Sequence, residues 1–261
     1  MLIRIASQDN SRIRLIRKLQ TRKGRTAEGR FACEGINMVS EAIRRDLDID
    51  FIMVPEGACF GLIDECIAAD DITVCEVPEG IFNKLTDAEN GVGILAVVRM
   101  PHTDIQAIDS LPGGSNVLVL DRIQDPGNMG TMIRTAVAAG YSMIIAVKGT
   151  ADVWSPKVLR STAGMVFDIP IAYVSGPEEL NTVLRRAGKR IVVTDPAGGR
   201  PYYEEDLRSN VALVIGNEGN GISDEVMDLA DVRVTLPMKG ETESLNAAVS
   251  AAILMYEAVR N

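Results

Sequence analysis

The chain has 261 residues, of which 46% are hydrophobic and 24% charged, an apolar supply sufficient for one large domain or two of ordinary size. A single histidine, His102, excludes a multi-histidine metal site and leaves a histidine-based catalytic triad only a residue from a connecting segment. The net charge of −9 argues, taken alone, against a nucleic-acid partner.

The opening stretch, "MLIRIASQDNSRIRLIRK", lacks the unbroken apolar segment of a signal peptide, and no apolar run reaches the roughly 18 residues of a membrane span. A soluble cytoplasmic protein without membrane partners is therefore expected. Charge is unevenly spread. Residues 1–30 hold nine basic side chains against Asp9 and Glu28, a net +7, which leaves −16 for the remainder. Arg12, Arg14, Arg17, Lys18, Arg22, Lys23 and Arg25 then form either a footprint for a polyphosphate chain or a solvated basic helix without a partner.

Hydrophobic spacing predicts a helix over 9–21, a second at 34–45, a strand at 48–54 and a closing strand within 91–100, a mixed α/β unit. Cys33, Cys59, Cys66 and Cys75 fall here without a CxxC pair and read as buried free thiols. Proline, a Gly-Gly pair and polar residues mark 101–115 as a linker, giving domains at 1–100 and 116–261. Beyond the linker, strands and helices alternate. "NVLVLD", a helix at about 129–139, "MIIAV", a helix near 156–164, "IPIAYV", a helix near 177–188, "RIVVTD", "VALVIG", a short helix near 223–229, "VRVTLPM" and a long helix at about 244–260 follow in order. Near-continuous apolar strands of this kind predict a parallel sheet buried on both faces, with ligands beyond the strand C-terminal ends.

Three strand-end loops carry chemistry. "DPGN" at 125–128 is turn chemistry and puts Asn128 or Met129 near a helix N-terminus, with Gly130 and Arg134 on one face; Arg134 either completes an anion notch or pairs with Asp121 or Asp125. "GNEGNG" at 216–221 fails the dinucleotide fingerprint in spacing and position, and its Glu218 either accepts hydrogen bonds from a ligand or closes the turn on backbone N–H groups. In "LPMKGETESLNAAVSAAILMYEA", Ser244 or Thr242 is a candidate helix cap, and Ala247, Ala248, Ala251 and Ala252 form a small-residue seam.

"NMGTMIRTA", "VIGNEGNGIS" and "LPMKGETESLNAAVS", in that order and ending at the last helix, closely resemble the three signature motifs of the SpoU/TrmH family of RNA ribose 2′-O-methyltransferases. The segment "SRIRLIRKLQTRKGRTAEGRFACEG" resembles the RNA substrate-binding domain that precedes the catalytic domain in many members acting on ribosomal RNA. The resemblance implies a SPOUT fold with a trefoil knot, a homodimer through the last helix, and S-adenosyl-L-methionine as cofactor with no metal. Carried over by position, Gly216, Leu236, Met238, Ser244 and Leu245 would bind the cofactor, joined by Thr194 from the neighbouring strand end of "RIVVT", and Arg134, Asn128, Glu218, Ser244 and Asn246 would form the catalytic set. A guanidinium stays protonated in proteins, so Arg134 is expected to bind a substrate phosphate and stabilise alkoxide charge rather than act as general base. Ribosomal RNA is favoured over transfer RNA because of the N-terminal domain. A transfer-RNA methyltransferase, or a non-catalytic RNA-binding protein on the same fold, are the alternatives; the missing GxGxxG disfavours a nucleotide-dependent oxidoreductase.

Overall fold

A computed structural model describes residues 1–58, 61, 72–86, 93–240 and 244–260. The chain separates into two compact units, one of Met1–Pro101 with Asp152–Phe167, the other of His102–Ala151 with Asp168–Asn261.

The first unit opens with β1 (Leu2–Arg4), α1 (Ser11–Leu19), α2 (Arg22–Glu28) and β2 (Arg30–Glu34), then α3 (Ile36–Arg44), β3 (Ile49–Pro55), β4 (Val74–Val77), α4 (Glu79–Phe82) and β5 (Leu95–Arg99). Its sheet has the order β1-β4-β3-β5-β2, with β1, β4 and β3 parallel and β5 antiparallel to both β3 and β2. The Asn10 side chain caps α1, which buries Ile13, Ile16 and Leu19 and so keeps one apolar stripe beneath a basic outer face. The basic helix expected over 9–21 is α1, and a further basic helix, α2, follows it directly because Thr21 caps a second start. β1, β2, β4 and α4 carry no long periodic signal and lie outside the expected elements. Cys33 and Cys75 are buried free thiols, whereas Cys59 and Cys66 fall outside the described residues. Burial pushes the Cys33 thiol up to about 12.

The segment Asp152–Phe167 lies later in the chain, beyond β6 (Val117–Asp121), α5 (Pro126–Ala138) and β7 (Met143–Val147), and contributes α6 (Pro156–Thr162) to this first unit. Trp154 from that segment stacks on Phe31 of β2 with ring centroids 4.7 Å apart.

The second unit continues with β8 (Ile171–Val174), α7 (Pro177–Arg186), β9 (Arg190–Thr194), β10 (Arg200–Pro201), β11 (Val211–Gly216), α8 (Asp224–Met227), β12 (Val232–Thr235) and α9 (Ala247–Glu257). Its strands form one wholly parallel sheet in the order β10-β12-β9-β11-β6-β7-β8. Every residue of β6, β7 and β11 is buried, as a sheet covered on both faces requires. β12 lies between β9 and β10, which are consecutive in the chain and joined only by residues 195–199. That short loop passes so close to β12 that a Cβ on Gly199 would sit 2.4 Å from the Val234 carbonyl carbon.

Two helix starts differ from expectation, for reasons of capping. α5 begins at Pro126, since the Asp125 carboxylate accepts from the Asn128 N–H at 2.7 Å and proline suits the first helical position. Arg134 is accordingly the ninth residue of α5 rather than part of its electropositive end. α9 is capped by Asn246, whose Oδ1 accepts from the N–H groups of Ala248 at 2.9 Å and Val249 at 3.2 Å; Ser244 precedes the cap and Thr242 lies outside the described residues. α9 packs on α5 and β11, burying Ala248 and Ala251, so this part of the alanine seam serves packing within the chain.

Candidate active site

The ends of β6 and β11 and the start of α9 meet in a directional hydrogen-bond chain. Because Asn246 Oδ1 is used in capping α9, its amide nitrogen faces outward and donates to Asn128 Oδ1 at 2.9 Å. Asn128 must then offer its own amide nitrogen, which donates to Glu218 Oε1 at 3.0 Å. Glu218 also accepts from the N–H groups of Gln124 at 3.3 Å and Asp125 at 3.2 Å. Partial burial raises the Glu218 pKa, but the Asn128 amide and these backbone donors outweigh it and hold the carboxyl below the ordinary carboxylate range. The ionised group is an acceptor only, and the whole chain of donors is ordered toward it.

Neighbouring residues to which the sequence reading gave no part in the site hold this arrangement. Asn217 donates from Nδ2 to the Arg122 carbonyl at 2.9 Å, while its Oδ1 accepts from Gly219 and Asn220, closing the glycine-rich turn. Asp121, 1% exposed, accepts from both the N–H and the hydroxyl of Ser223. Their sequence signal was their place at the ends of "VLVLD" and "VALVIG". Gly216 is confined by this turn, since a Cβ there would lie 2.3 Å from the Ile222 nitrogen.

Beside the turn, at the C-terminal ends of β9, β11 and β12, lies a cavity of about 510 Å³. Thr194, Gly216, Leu236, Met238, Ser244 and Leu245 all line it. So do Asp195 and Glu218, and no lysine, arginine or histidine among the described residues does. Apolar walls with two carboxylates and no basic group fit a flat aromatic ligand carrying positive charge, as S-adenosylmethionine does, and oppose the phosphates of a dinucleotide. Among the described residues no cluster of His, Cys, Asp or Glu could hold a metal ion.

Arg134 is not brought into this arrangement within one chain. It is exposed, does not line the cavity, and its side chain makes no hydrogen bond or ion pair among the described residues. The structural pairings considered for it are absent, since Asp121 faces Ser223 and Arg122 while Asp125 caps α5.

Among the basic residues of the first unit, Arg14, Arg17, Lys18, Arg22 and Lys23 are exposed, with Lys18 paired to Glu28 at 3.1 Å; Arg12 is half-buried, its guanidinium 5.6 Å from the Phe51 ring centroid. Arg25 is a correction. It is 4% exposed, its Nε and Nη2 donate to Asp152 Oδ2 at 2.8 and 2.6 Å, and its Nη1 donates to the Leu19 carbonyl. A side chain so enclosed is structural and offers no surface to RNA.

Comparison with known proteins locates the same two regions. Residues 115–256 match the SpoU rRNA Methylase family, and residues 10–96 match the MRM3-like substrate binding domain. The chain is 35% identical over 256 residues to the 23S rRNA (guanosine(2553)-2′-O)-methyltransferase RlmP of Bacillus subtilis, covering 97% of each. It is similar in structure to the AdoMet-bound rRNA methyltransferase of Sinorhizobium meliloti, with a TM-score of 0.88, 31% identity and coverage of 98% of this chain and 97% of that one. The AdoMet complex of the SpoU methyltransferase AviRb of Streptomyces viridochromogenes gives a TM-score of 0.87 at 30% identity, covering 96% and 97%. With the motifs, the parallel sheet and the cavity at its strand ends in agreement, the chain belongs to the SpoU rRNA methylase family and is an S-adenosylmethionine-dependent RNA 2′-O-methyltransferase.

Proposed function

We propose that the chain methylates a ribose 2′-hydroxyl of large-subunit ribosomal RNA, holding the methyl donor with Thr194, Gly216, Leu236, Met238, Ser244 and Leu245. The observation that carries this reading is the cavity with two acids and no base, tied through Glu218, Asn128 and Asn246 to the helix bearing Arg134. The donor, when bound, supplies an electrophilic methyl group on a sulfonium. A 2′-hydroxyl is a poor nucleophile, so positioning is the main contribution, worth up to about 7–11 kcal/mol in the best intramolecular cases. Glu218, Asn128, Asn246 and Ser244 keep the strand-end loops in register, and Arg134 binds the phosphate beside the target ribose and stabilises the developing alkoxide.

Arg134 does not line its own chain's cavity, so this role requires a second subunit. Support for a homodimer comes from α9 and its flanks, where Leu245, Val249, Tyr256 and Val259 remain 39%, 48%, 51% and 48% exposed at helical spacing. Val249→Glu is expected to yield monomers in sedimentation and to abolish turnover. Threading of the last segment through the loop after β9 is the companion proposal, supported by the position of β12 between β9 and β10. The exposed Arg14, Arg17, Lys18, Arg22 and Lys23, with the half-buried Arg12, would contact RNA phosphates. Among the described residues no helix is long and apolar enough to cross a membrane, and the cytoplasm, with its ribosomes, is the expected site of action.

The test is transfer of labelled methyl from S-adenosylmethionine to 23S rRNA of a strain lacking the gene. Label that survives base removal, with one linkage made resistant to alkali, is expected. Label on a base, or none on any ribosomal RNA, would overturn the proposal.

A further inference from the structure

Arg122, the residue after β6, has left-handed backbone at φ 57°, a conformation that favours glycine. The three other described non-glycine residues of positive φ are Asp46, Ala163 and Asn210, two of them of the type that tolerates it. The conformation is held from three sides. The Arg122 N–H donates to Thr150 Oγ1 at 3.1 Å, its carbonyl accepts from Asn217 Nδ2 at 2.9 Å, and its side-chain stem lies where a Cβ on Gly149 would be 3.1 Å from Arg122 Cγ. A strained backbone maintained this firmly is a device for aiming one side chain.

The fold uses only the inner part of the side chain. Its Nε lies 3.5 Å from Asp121 Oδ1, and both atoms are buried without a hydrogen-bond partner. Asp121 already takes two hydrogen bonds from Ser223 through its other oxygen. An arginine serving only to neutralise that carboxylate would close to hydrogen-bonding distance. This one instead keeps its side chain 40% exposed, and among the described residues its terminal nitrogens have no hydrogen-bond partner. Arg122, Gln124 and Asp125 are in turn bonded to Asn217 and Glu218, which line the cavity.

We propose that Arg122 is a preset anchor for a backbone phosphate of the RNA substrate, fixing the strand relative to the Glu218–Asn128–Asn246 chain. The proposal rests on the RNA methyltransferase reading and adds a residue to it. A guanidinium already fixed in place loses little freedom on binding, unlike the exposed side chains of α1 and α2, so its contact positions the nucleotide as well as attracting it.

The test uses the full-length enzyme and unmodified 23S rRNA transcript. Arg122→Gln keeps a polar partner for Asp121 and removes the charge. It is expected to raise KM for RNA about tenfold and to lower the slope of log Kd against log salt by about one, with kcat within about threefold and S-adenosylmethionine affinity unchanged. Arg122→Lys is expected to restore the slope. Arg122→Gly, which relieves the left-handed strain, reads the same quantities should the glutamine variant fold poorly. An unchanged slope and KM in these neutral variants would overturn the proposal. So would cofactor affinity falling in step with RNA affinity, which would make Arg122 a support for Asp121. Failure of the wild-type enzyme to methylate RNA would instead sink the functional reading.

Discussion

The strand-end site of the second unit and the basic N-terminal segment of the first use polar side chains in opposite ways. In that site, Asn246, Asn128 and Glu218 satisfy one another in a single direction, and two arginines on its elements, Arg122 after β6 and Arg134 on α5, have terminal nitrogens without a hydrogen-bond partner among the described residues. In the first, several cations are used by the fold. Arg25 is enclosed with Asp152, Arg30 is paired with Asp50, and Arg4 and Lys18 meet Glu76 and Glu28. Counting charges along a sequence therefore overstates an RNA footprint wherever carboxylates from distant segments fold back onto it. At a strand end the same count understates the site, because its amides carry no charge at all.

The comparison breaks most sharply at Arg25. Truncation to alanine leaves Asp152, 13% exposed, without its cation, and removing one partner of a buried pair costs about 3–5 kcal/mol. Denaturant unfolding of Arg25→Ala is expected to show this loss in stability, while the salt dependence of RNA binding stays that of the wild type. A reduced slope at full stability would return Arg25 to the RNA-binding set.

Arg134 is the reverse case, a cation whose loss the fold should not register. Arg134→Ala is expected to keep its unfolding midpoint and cofactor affinity and to lose about 10²–10³ in kcat, the scale of one removed transition-state charge partner. Arg134→Lys keeps charge without the fork and should recover part of that loss. If the two variants lose turnover equally with unchanged RNA affinity, a mainly electrostatic role fails.

Much of this was legible in the residues, and what was not has identifiable physical causes. β6, β7 and β11 are continuous apolar runs, so their class and limits follow from composition, and β7 and β11 begin and end where expected. α5 and α9 start elsewhere because the caps are Asp125 and Asn246, and polar residues compete for such positions until tertiary contacts select one. β1, β2 and β4, of three to five residues, are too short for period-two alternation to stand out. Five of the six cavity residues came from motif resemblance and Thr194 from its strand end, whereas the enclosure of Arg25 depends on a carboxylate 127 positions away, which no local pattern contains.

Glu218 sharpens the comparison through pH. Its folded pKa is lowered, so the stability it contributes is fully present above the unfolded value of about 4.3 and is lost as pH falls through the lower folded value. Glu218→Gln turns one of the two acceptor oxygens into a donor, which faces the Gln124 N–H in the place of Oε2 or the Asn128 amide and the Asp125 N–H in the place of Oε1, at an expected cost of about 1 kcal/mol after solvent screening. The gap between wild type and variant should be constant from about pH 6 to 8 and shrink only below about pH 4. A gap that shrinks near neutrality would mean that Glu218 titrates there and that its donors do not hold it ionised.

The smallest effect is expected at Lys23, exposed near the start of α2 with no hydrogen bond or ion pair among the described residues. Lys23→Ala removes one mobile charge from a surface that several others share. At physiological salt the loss in RNA affinity should be no more than about threefold, and the salt slope should fall by at most about 0.7 for a single-stranded contact. Turnover at saturating RNA and the unfolding midpoint should not change, because this residue neither packs nor reaches the strand-end loops. The distinction from Arg122 lies in KM measured at matched ionic strength. A surface lysine acts through long-range attraction that added salt screens, so its KM effect, already at most about threefold, should disappear at high salt, and the larger effect of Arg122→Gln should shrink with salt as its slope change of about one requires. If Lys23→Ala raised KM as far as Arg122→Gln at the same ionic strength, α2 would be a positioning surface too, and the difference between the two surfaces would fail.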